Sequence, residues 1–135
     1  MHKSITLALG LSTSLFLGTL MTTPAANAAG QAPDASICKD KENPPKDVVT
    51  QGGCIVTERT KGNCMGCHLI AGVSSGNVAP PLVSMAQRFP DKNKLRDLIS
   101  DATKVNPNTV MPPFGRHQIL SKDEIDKVVE FILSL

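Results

Sequence analysis

The most regular hydrophobic pattern of the chain lies at its C-terminal end. Apolar residues recur there at helical spacing: Ile125, Val128, Val129, Ile132 and Leu135. Ser121 and Glu124 stand just before this pattern at the spacing of a capping box, in which each residue's side chain bonds the other's backbone N–H. The pattern predicts an amphipathic helix that begins after Ser121 and buries one face.

A second periodic segment follows Pro90. Asp91 has the chemistry of a helix N-cap, because its short carboxylate can accept from the first free backbone N–H groups. The apolar residues after it are spaced i, i+3, i+4 and i+7: Leu95, Leu98, Ile99 and Ala102. We expect a helix here that turns one stripe toward a core.

Elsewhere the periodicity is weaker. Residues 48–61 and 82–89 each favour a short helix, whereas residues 103–120 contain three prolines and two asparagines and should be mostly non-helical. Residues 29–47 are polar and proline-rich and predict a surface-lying arm without a helical period. No segment alternates as a strand does. The pattern predicts an all-α fold of short helices and long loops, which needs an internal organiser.

The first 28 residues have the pattern of a secretory signal peptide. Lys3 is followed by the uncharged apolar run Ile5–Met21, and Ala26-Asn27-Ala28 matches the A-x-A cleavage pattern. We expect cleavage after Ala28 and export to the periplasm, with an uncleaved anchor helix as the alternative. After cleavage no membrane span is expected, and one small domain at 48–135 follows the arm at 29–47.

Charge and aromatic content narrow the function further. Lys3 is the only charged residue before Ala29, so 13 of the 14 basic side chains remain against 12 acidic ones. This near-neutral balance gives no support to nucleic-acid binding. The same part has three phenylalanines and no Trp or Tyr, so it is short of large rigid core residues.

The stretch GNCMGCH carries the main chemical signal, the C-x-x-C-H motif of Cys64, Cys67 and His68. A redox dithiol would need a βαβ setting and a zinc site a second pair of ligands, and the sequence offers neither. C-x-x-C-H is the attachment signature of haem c, in which both thiols form thioethers and the histidine binds iron. Export and the shortage of aromatic residues agree with this interpretation, because one haem c would supply the missing core.

The sixth iron position has three candidate ligands in the chain: Met85, Met111 and His117. Met85 falls in step with Leu82 and Phe89, which favours a core role for it. Met111 precedes a proline that holds it extended, so its thioether can point inward, and we predict it as the second axial ligand. His117 is more typical of a surface histidine. A His68/Met111 pair fills both axial positions and favours electron transfer over catalysis.

Cys38 and Cys54 remain once the motif has used its pair. In an oxidising compartment a disulfide between them is the simplest interpretation. The competing hypothesis is that one of them forms a mixed disulfide or persulfide with a sulfur substrate or a partner.

Four stretches, CMGCH, APPL, MPPFG and LSKDEIDKVVEFILSL, resemble the haem hook, proline loop, methionine loop and C-terminal helix of class I c-type cytochromes. This resemblance implies the class I cytochrome c fold. It also implies that the Pro80 carbonyl accepts a hydrogen bond from the free ring nitrogen of His68 and that Leu82 packs on the porphyrin. Ala79 stands where that family usually has glycine.

A longer set, KGNCMGCH, GNVAPPL, RFPDKNKLRDLISD and NPNTVMPPFGRHQILSKDEIDKVVEFI, resembles the SoxX family, the monohaem subunits of the SoxAX complexes of bacterial thiosulfate oxidation. It covers most of residues 48–135 and implies a heterodimer with a SoxA subunit, which carries the active-site haem. Such a complex is an L-cysteine S-thiosulfotransferase that joins thiosulfate to a cysteine of a SoxY-type carrier protein. This chain would pass the electrons to a small soluble cytochrome c and would not be an enzyme on its own.

Two other hypotheses share the same haem residues. A free soluble periplasmic cytochrome c could act as a general electron shuttle among several partners. A peroxidase or sulfur transferase would need an open iron position or a reactive Cys38 or Cys54.

Overall fold

The computed structural model describes residues 30–135, and the predicted signal peptide lies outside them. These residues form five α-helices in order: α1 (Ala35–Lys39), α2 (Val48–Thr57), α3 (Met85–Arg88), α4 (Lys92–Ser100) and α5 (Lys122–Leu133). Two 3₁₀ turns, Cys64–Gly66 and Ala102–Lys104, complete the regular structure of this described part. Within this part of the chain there is no strand, only an isolated bridge between His68 and Ala79. The predicted all-α class is confirmed.

The C-terminal helix α5 is the centre of the core. The capping box is present, with Ser121 accepting from the Glu124 N–H and Glu124 accepting from the Ser121 N–H. The Glu124 side chain also bonds Lys61, which is the main reason why the pKa of this carboxyl lies below its ordinary value. The buried residues of the helix form one face: Ile125, Val128, Val129, Phe131 and Ile132.

Helix α2 packs closely against α5 because it carries two consecutive glycines. A Cβ atom at Gly52 would overlap the carbonyl oxygen of Lys127 and lie 2.9 Å from the Phe131 Cβ. A Cβ atom at Gly53 would meet the side chains of Pro33 and Phe131. The predicted helix over 48–61 exists but ends at Thr57.

The other two predicted helices differ in how well their bounds were anticipated. Helix α4 begins as expected, with the Asp91 side chain accepting from the Asn93 N–H. Leu95 and Ile99 are buried on it. Helix α3 is shorter than the predicted 82–89, because Ser84 adopts a left-handed backbone conformation (φ 50°) and the helix starts only after it. Leu82 is nevertheless buried, in the extended segment that precedes the helix.

No described helix is long and apolar enough to cross a membrane; this finding covers residues 30–135.

The N-terminal arm is more structured than the sequence indicated. It contains helix α1, with Asp34 as its N-cap, although the segment has no helical period. Ala32 and Pro33 are buried, and the Ala32 N–H donates to the Ala71 carbonyl at 2.8 Å. The prediction of a surface-lying arm therefore fails at Ala32 and Pro33, which tertiary contacts bury, whereas helix α1 has no buried residue and forms with the help of its cap.

A disulfide between Cys38 and Cys54 joins α1 to α2, with a Cα–Cα distance of 5.4 Å. The structure thus favours the bridged pair over two separate reactive thiols. Such a bridge limits the unfolded chain across a loop of 16 residues.

We expect the double variant Cys38→Ser/Cys54→Ser to lose about 3 kcal/mol of unfolding free energy, the value of the chain-entropy model for a loop of this length. Denaturant titration of the variant and the parent protein, each under non-reducing conditions, measures the difference. In the parent protein, iodoacetamide should label neither cysteine until a reductant is added, as peptide mapping would show. Labelling of both thiols without reductant would contradict the bridge.

Candidate functional site

A large apolar cavity brings most of the predicted site residues together. Its volume is about 740 Å³, inside the range of roughly 300–1,000 Å³ usual for small-molecule sites. Cys64, Cys67 and His68 line one side of it, and Met111 also lines it, from a loop 43 residues after His68. The remaining walls are mostly apolar side chains from α4, α5 and the loops: Leu82, Leu95, Ile99, Phe114, Leu120 and Val128.

The C-x-x-C-H motif forms a compact turn at the cavity wall. The 3₁₀ turn Cys64–Gly66 begins after Asn63, whose φ of 47° is left-handed. The His68 N–H donates to the Cys64 carbonyl at 2.9 Å, which closes the turn and places both thiols and the imidazole on one short segment. Neither thiol is in a disulfide.

The imidazole of His68 is held by the proline loop. Its Nδ1 lies 2.7 Å from the carbonyl oxygen of Pro80. A carbonyl oxygen can only accept, so Nδ1 carries a proton, and in the neutral imidazole the lone pair is then on Nε2. Histidines that bind metal are commonly oriented in this way.

Two backbone bonds from the proline loop, one to the motif and one to the residue that follows it, support this contact. The Ala79 N–H donates to the Cys67 carbonyl at 3.1 Å, and the Leu82 N–H donates to the Leu69 carbonyl at 3.0 Å. Ala79 in place of the usual glycine does not prevent the arrangement. Pro80 therefore contacts the histidine, and Leu82 lines the cavity wall.

The environment of Cys64 argues against a redox dithiol. Burial raises the pKa of its thiol to about 11, whereas reactive dithiols have a lowered pKa. The segment before Cys64 is a helix and turn rather than a strand. A thiol that stays protonated in an apolar cavity does not suit thiol–disulfide exchange.

The three candidates for the opposite ligand are separated by their positions. Met111 is half-buried and lines the cavity, and His117 is exposed and is not part of the lining. Met85 also reaches the cavity, but it is 2 % exposed within the hydrophobic core, and its Sδ accepts from Arg88 Nη1 at 3.1 Å. This arrangement agrees with a core role for Met85 and leaves Met111 as the best-placed thioether.

Some cavity residues were not predicted from the sequence. Phe114 and Leu120 are 5 % and 3 % exposed, yet they belong to a proline-rich loop without a helical period. The charged side chains that line the cavity are all basic: Arg59, Lys61 and Arg88. Spacing alone could not have assigned them to the cavity, because they lie on α3 and on the turn after α2.

The donor set fits haem c better than it fits a zinc ion. Two unbridged thiols, an imidazole with a free Nε2 and a thioether border one apolar space, which are the groups that attach and ligate a haem c. Among residues 30–135 no cluster of three or more His, Cys, Asp or Glu side chains could hold a metal ion. Cys64, Cys67, His68 and Met111 would hold the haem.

The fold and this donor set define a c-type cytochrome domain, which binds haem c and transfers electrons. The family model described as cytochrome c oxidase, cbb3-type, subunit III matches residues 55–132. This is more than half of the chain, and the chain belongs to that family. The match includes both the C-x-x-C-H motif and Met111. No curated protein matches the chain.

Proposed function

We propose that the chain is a periplasmic monohaem c-type cytochrome, with one haem bound covalently through Cys64 and Cys67 and ligated by His68 and Met111. The observation that supports this proposal is the apolar cavity that the C-x-x-C-H motif and Met111 both line. When bound, haem c supplies a one-electron iron couple, and a His/Met pair raises its potential.

The residues around the cavity have the roles that such a carrier needs. The Pro80 carbonyl fixes the orientation of His68. The apolar walls, such as Leu82 and Phe114, keep water away from the haem. Less solvent is then available to stabilise charge on the haem, and this tunes its reduction potential. His68 and Met111 would both be ligands of the haem iron and would leave no ligand position for a substrate, so we propose no catalytic activity for the chain alone.

The narrower proposal is that the chain is the electron-transfer subunit of a SoxAX complex. Its support is the resemblance of four separate stretches to the SoxX family, including the methionine loop and the C-terminal helix. In this role a SoxA subunit is the heterodimer partner, and the complex acts as an L-cysteine S-thiosulfotransferase on a SoxY-type carrier. A small soluble cytochrome c takes the electrons onward.

The second candidate is a free periplasmic cytochrome c that serves several partners. The matching family is named for an oxidase subunit and not for sulfur chemistry, which supports this candidate. Both candidates use the same haem residues, so partner dependence must separate them.

We expect thiosulfate to reduce the haem of the purified protein only when the SoxA partner and its carrier protein are both added. Matured protein is mixed with thiosulfate alone, with partner alone and with both, and the visible spectrum of the reduced haem is followed. A carrier whose acceptor cysteine is replaced by serine is the control. Equal reduction without any partner, or failure to bind SoxA, would contradict the subunit role and leave the free carrier.

A further inference from the structure

The methionine loop, residues 102–115, has to keep Met111 at the cavity wall without an α-helix of its own. A thioether is a weak and neutral ligand, so the backbone around it must be held by other contacts. The loop has two arms of its own, which are distinct from the N-terminal arm. The first arm leads from α4 to Met111, and the second arm leads from Met111 back to α4.

Consecutive hydrogen bonds hold the first arm. The Ala102 carbonyl accepts from the Asn106 N–H at 3.0 Å, and the Asn106 carbonyl accepts from the Thr109 N–H at 3.1 Å. The Thr109 hydroxyl then accepts from the Met111 N–H at 3.1 Å. The backbone of Met111 is thereby connected to the start of the loop.

The second arm is held against the end of α4. The Ser100 carbonyl accepts two N–H groups, from Gly115 at 3.0 Å and from Arg116 at 3.1 Å. A Cβ atom at Gly115 would lie 3.0 Å from the Ser100 Cβ and 3.1 Å from the Ile125 Cδ1, so this approach is tight. The first arm therefore begins, and the second arm ends, beside the C-terminal end of α4.

Asp101 stands at this place and contacts both arms with one carboxylate. Its Oδ1 accepts from the Thr103 N–H at 3.2 Å and from the Thr103 hydroxyl at 2.5 Å. Its Oδ2 lies 3.5 Å from Nη1 of Arg116. The Asp101 side chain is only 7 % exposed, while that of Arg116 is 52 % exposed. The hydrogen bonds from Thr103, together with the nearby Arg116, hold the pKa of Asp101 below its ordinary value, so the carboxylate is ionised at neutral pH.

We propose that Asp101 is a positioning residue for Met111: with Thr103 and Arg116 it forms a clamp that keeps the methionine loop closed over the sixth iron position. None of these three residues lines the cavity, so the clamp acts on the ligand through the loop. The inference rests on the proposed function in one respect, the assignment of Met111 as an axial ligand.

Imidazole binding to the ferric protein tests the clamp, because imidazole can take the sixth position only when Met111 leaves it. Asp101→Asn keeps the shape of the side chain but removes its charge. We expect the apparent imidazole affinity to rise about tenfold, the effect of losing one interaction with a charged group. Arg116→Gln and Thr103→Val should shift the affinity in the same direction, by less.

Asp97→Asn is the matched control, since Asp97 is an exposed residue of α4 and the charge change is the same. Thermal unfolding followed by circular dichroism is measured on every variant. A lowered unfolding midpoint with unchanged imidazole affinity would show a merely structural role and would overturn the clamp. If Asp101→Asn does not fold, the imidazole affinity of Arg116→Gln decides whether the clamp exists, since the Arg116 side chain is half-exposed.

The far-red charge-transfer band of a methionine–iron bond tests the axial assignment of Met111 separately from the clamp. A parent protein without this band would contradict the axial assignment of Met111, and with it the proposed function. If the parent protein has the band but the imidazole affinity is unchanged in Asp101→Asn and Arg116→Gln, the clamp alone is overturned.

Discussion

Gly52→Ala should lower the free energy of unfolding by about 2–3 kcal/mol, at the upper end of the usual cost of overpacking a core. The new Cβ would overlap the carbonyl oxygen of Lys127, and backbone cannot move aside as a flexible side chain can. Helices α2 and α5 would have to separate, which would loosen the contacts of Val56 and Phe131, both almost fully buried. The substitution also raises helix propensity by about 1 kcal/mol, so the expected loss is a net value. Denaturant titration of the haem-loaded protein measures it.

Gly53→Ala is the matched control for this prediction. It adds the same atom to the same helix and brings the same gain in propensity, but its Cβ would meet the side chains of Pro33 and Phe131 instead of a backbone carbonyl. The Pro33 ring belongs to the N-terminal arm and can shift with it more readily than the Lys127 backbone can within α5, so the loss should be smaller. Equal stability of the parent protein and Gly52→Ala would mean that α2 and α5 do not approach as closely as the structure has them.

The elements that the sequence predicted best have both a hydrophobic period and a local stop or start signal. Helix α5 has the Ser121–Glu124 capping box and a continuous apolar face, and helix α4 has Asp91 at its start. In these segments the local preferences and the tertiary packing agree, so pattern alone was sufficient.

The elements that it predicted poorly depend on contacts between distant residues. The two glycines of α2 weaken its period, yet they are there because α5 lies against them. Helix α1 is held by the Asp34 cap and by the disulfide to Cys54, and neither contact produces a hydrophobic period in the sequence. Phe114 is buried although its loop has a polar and irregular sequence, because it belongs to the same hydrophobic core as the buried residues of α4 and α5.

The site residues also fall into two groups: those that local spacing predicts and those that depend on contacts between distant parts of the chain. Cys64, Cys67 and His68 are adjacent in the chain, so their common chemistry could be inferred from spacing alone. The position of Pro80 at His68 and of Met111 at the cavity required long-range folding and was anticipated only through sequence resemblance and the proline that follows Met111. The buried Asp101 gave no signal, because an isolated aspartate after a helix is ordinarily a solvated residue.

Met111→Leu should abolish the far-red methionine–iron band and open the sixth position to carbon monoxide in the ferrous protein. Leucine fills nearly the same volume, so the cavity should keep its shape and the fold should lose less than about 1.5 kcal/mol. The reduction potential should fall on the order of 0.2 V, a part of the roughly 0.8 V over which axial ligands set haem potentials. Visible spectroscopy, carbon monoxide titration and potentiometry measure the three effects on one preparation.

Met85→Leu is the matched control, because Met85 lines the same cavity and the chemical change is identical. It removes the sulfur that accepts from Arg88, so a small loss of stability is expected, but the far-red band and the potential should stay close to those of the parent protein. An unchanged spectrum in Met111→Leu would refute its role as ligand. Loss of the band in Met85→Leu instead would assign the iron to Met85, and the core position of that residue would then have to open when haem binds.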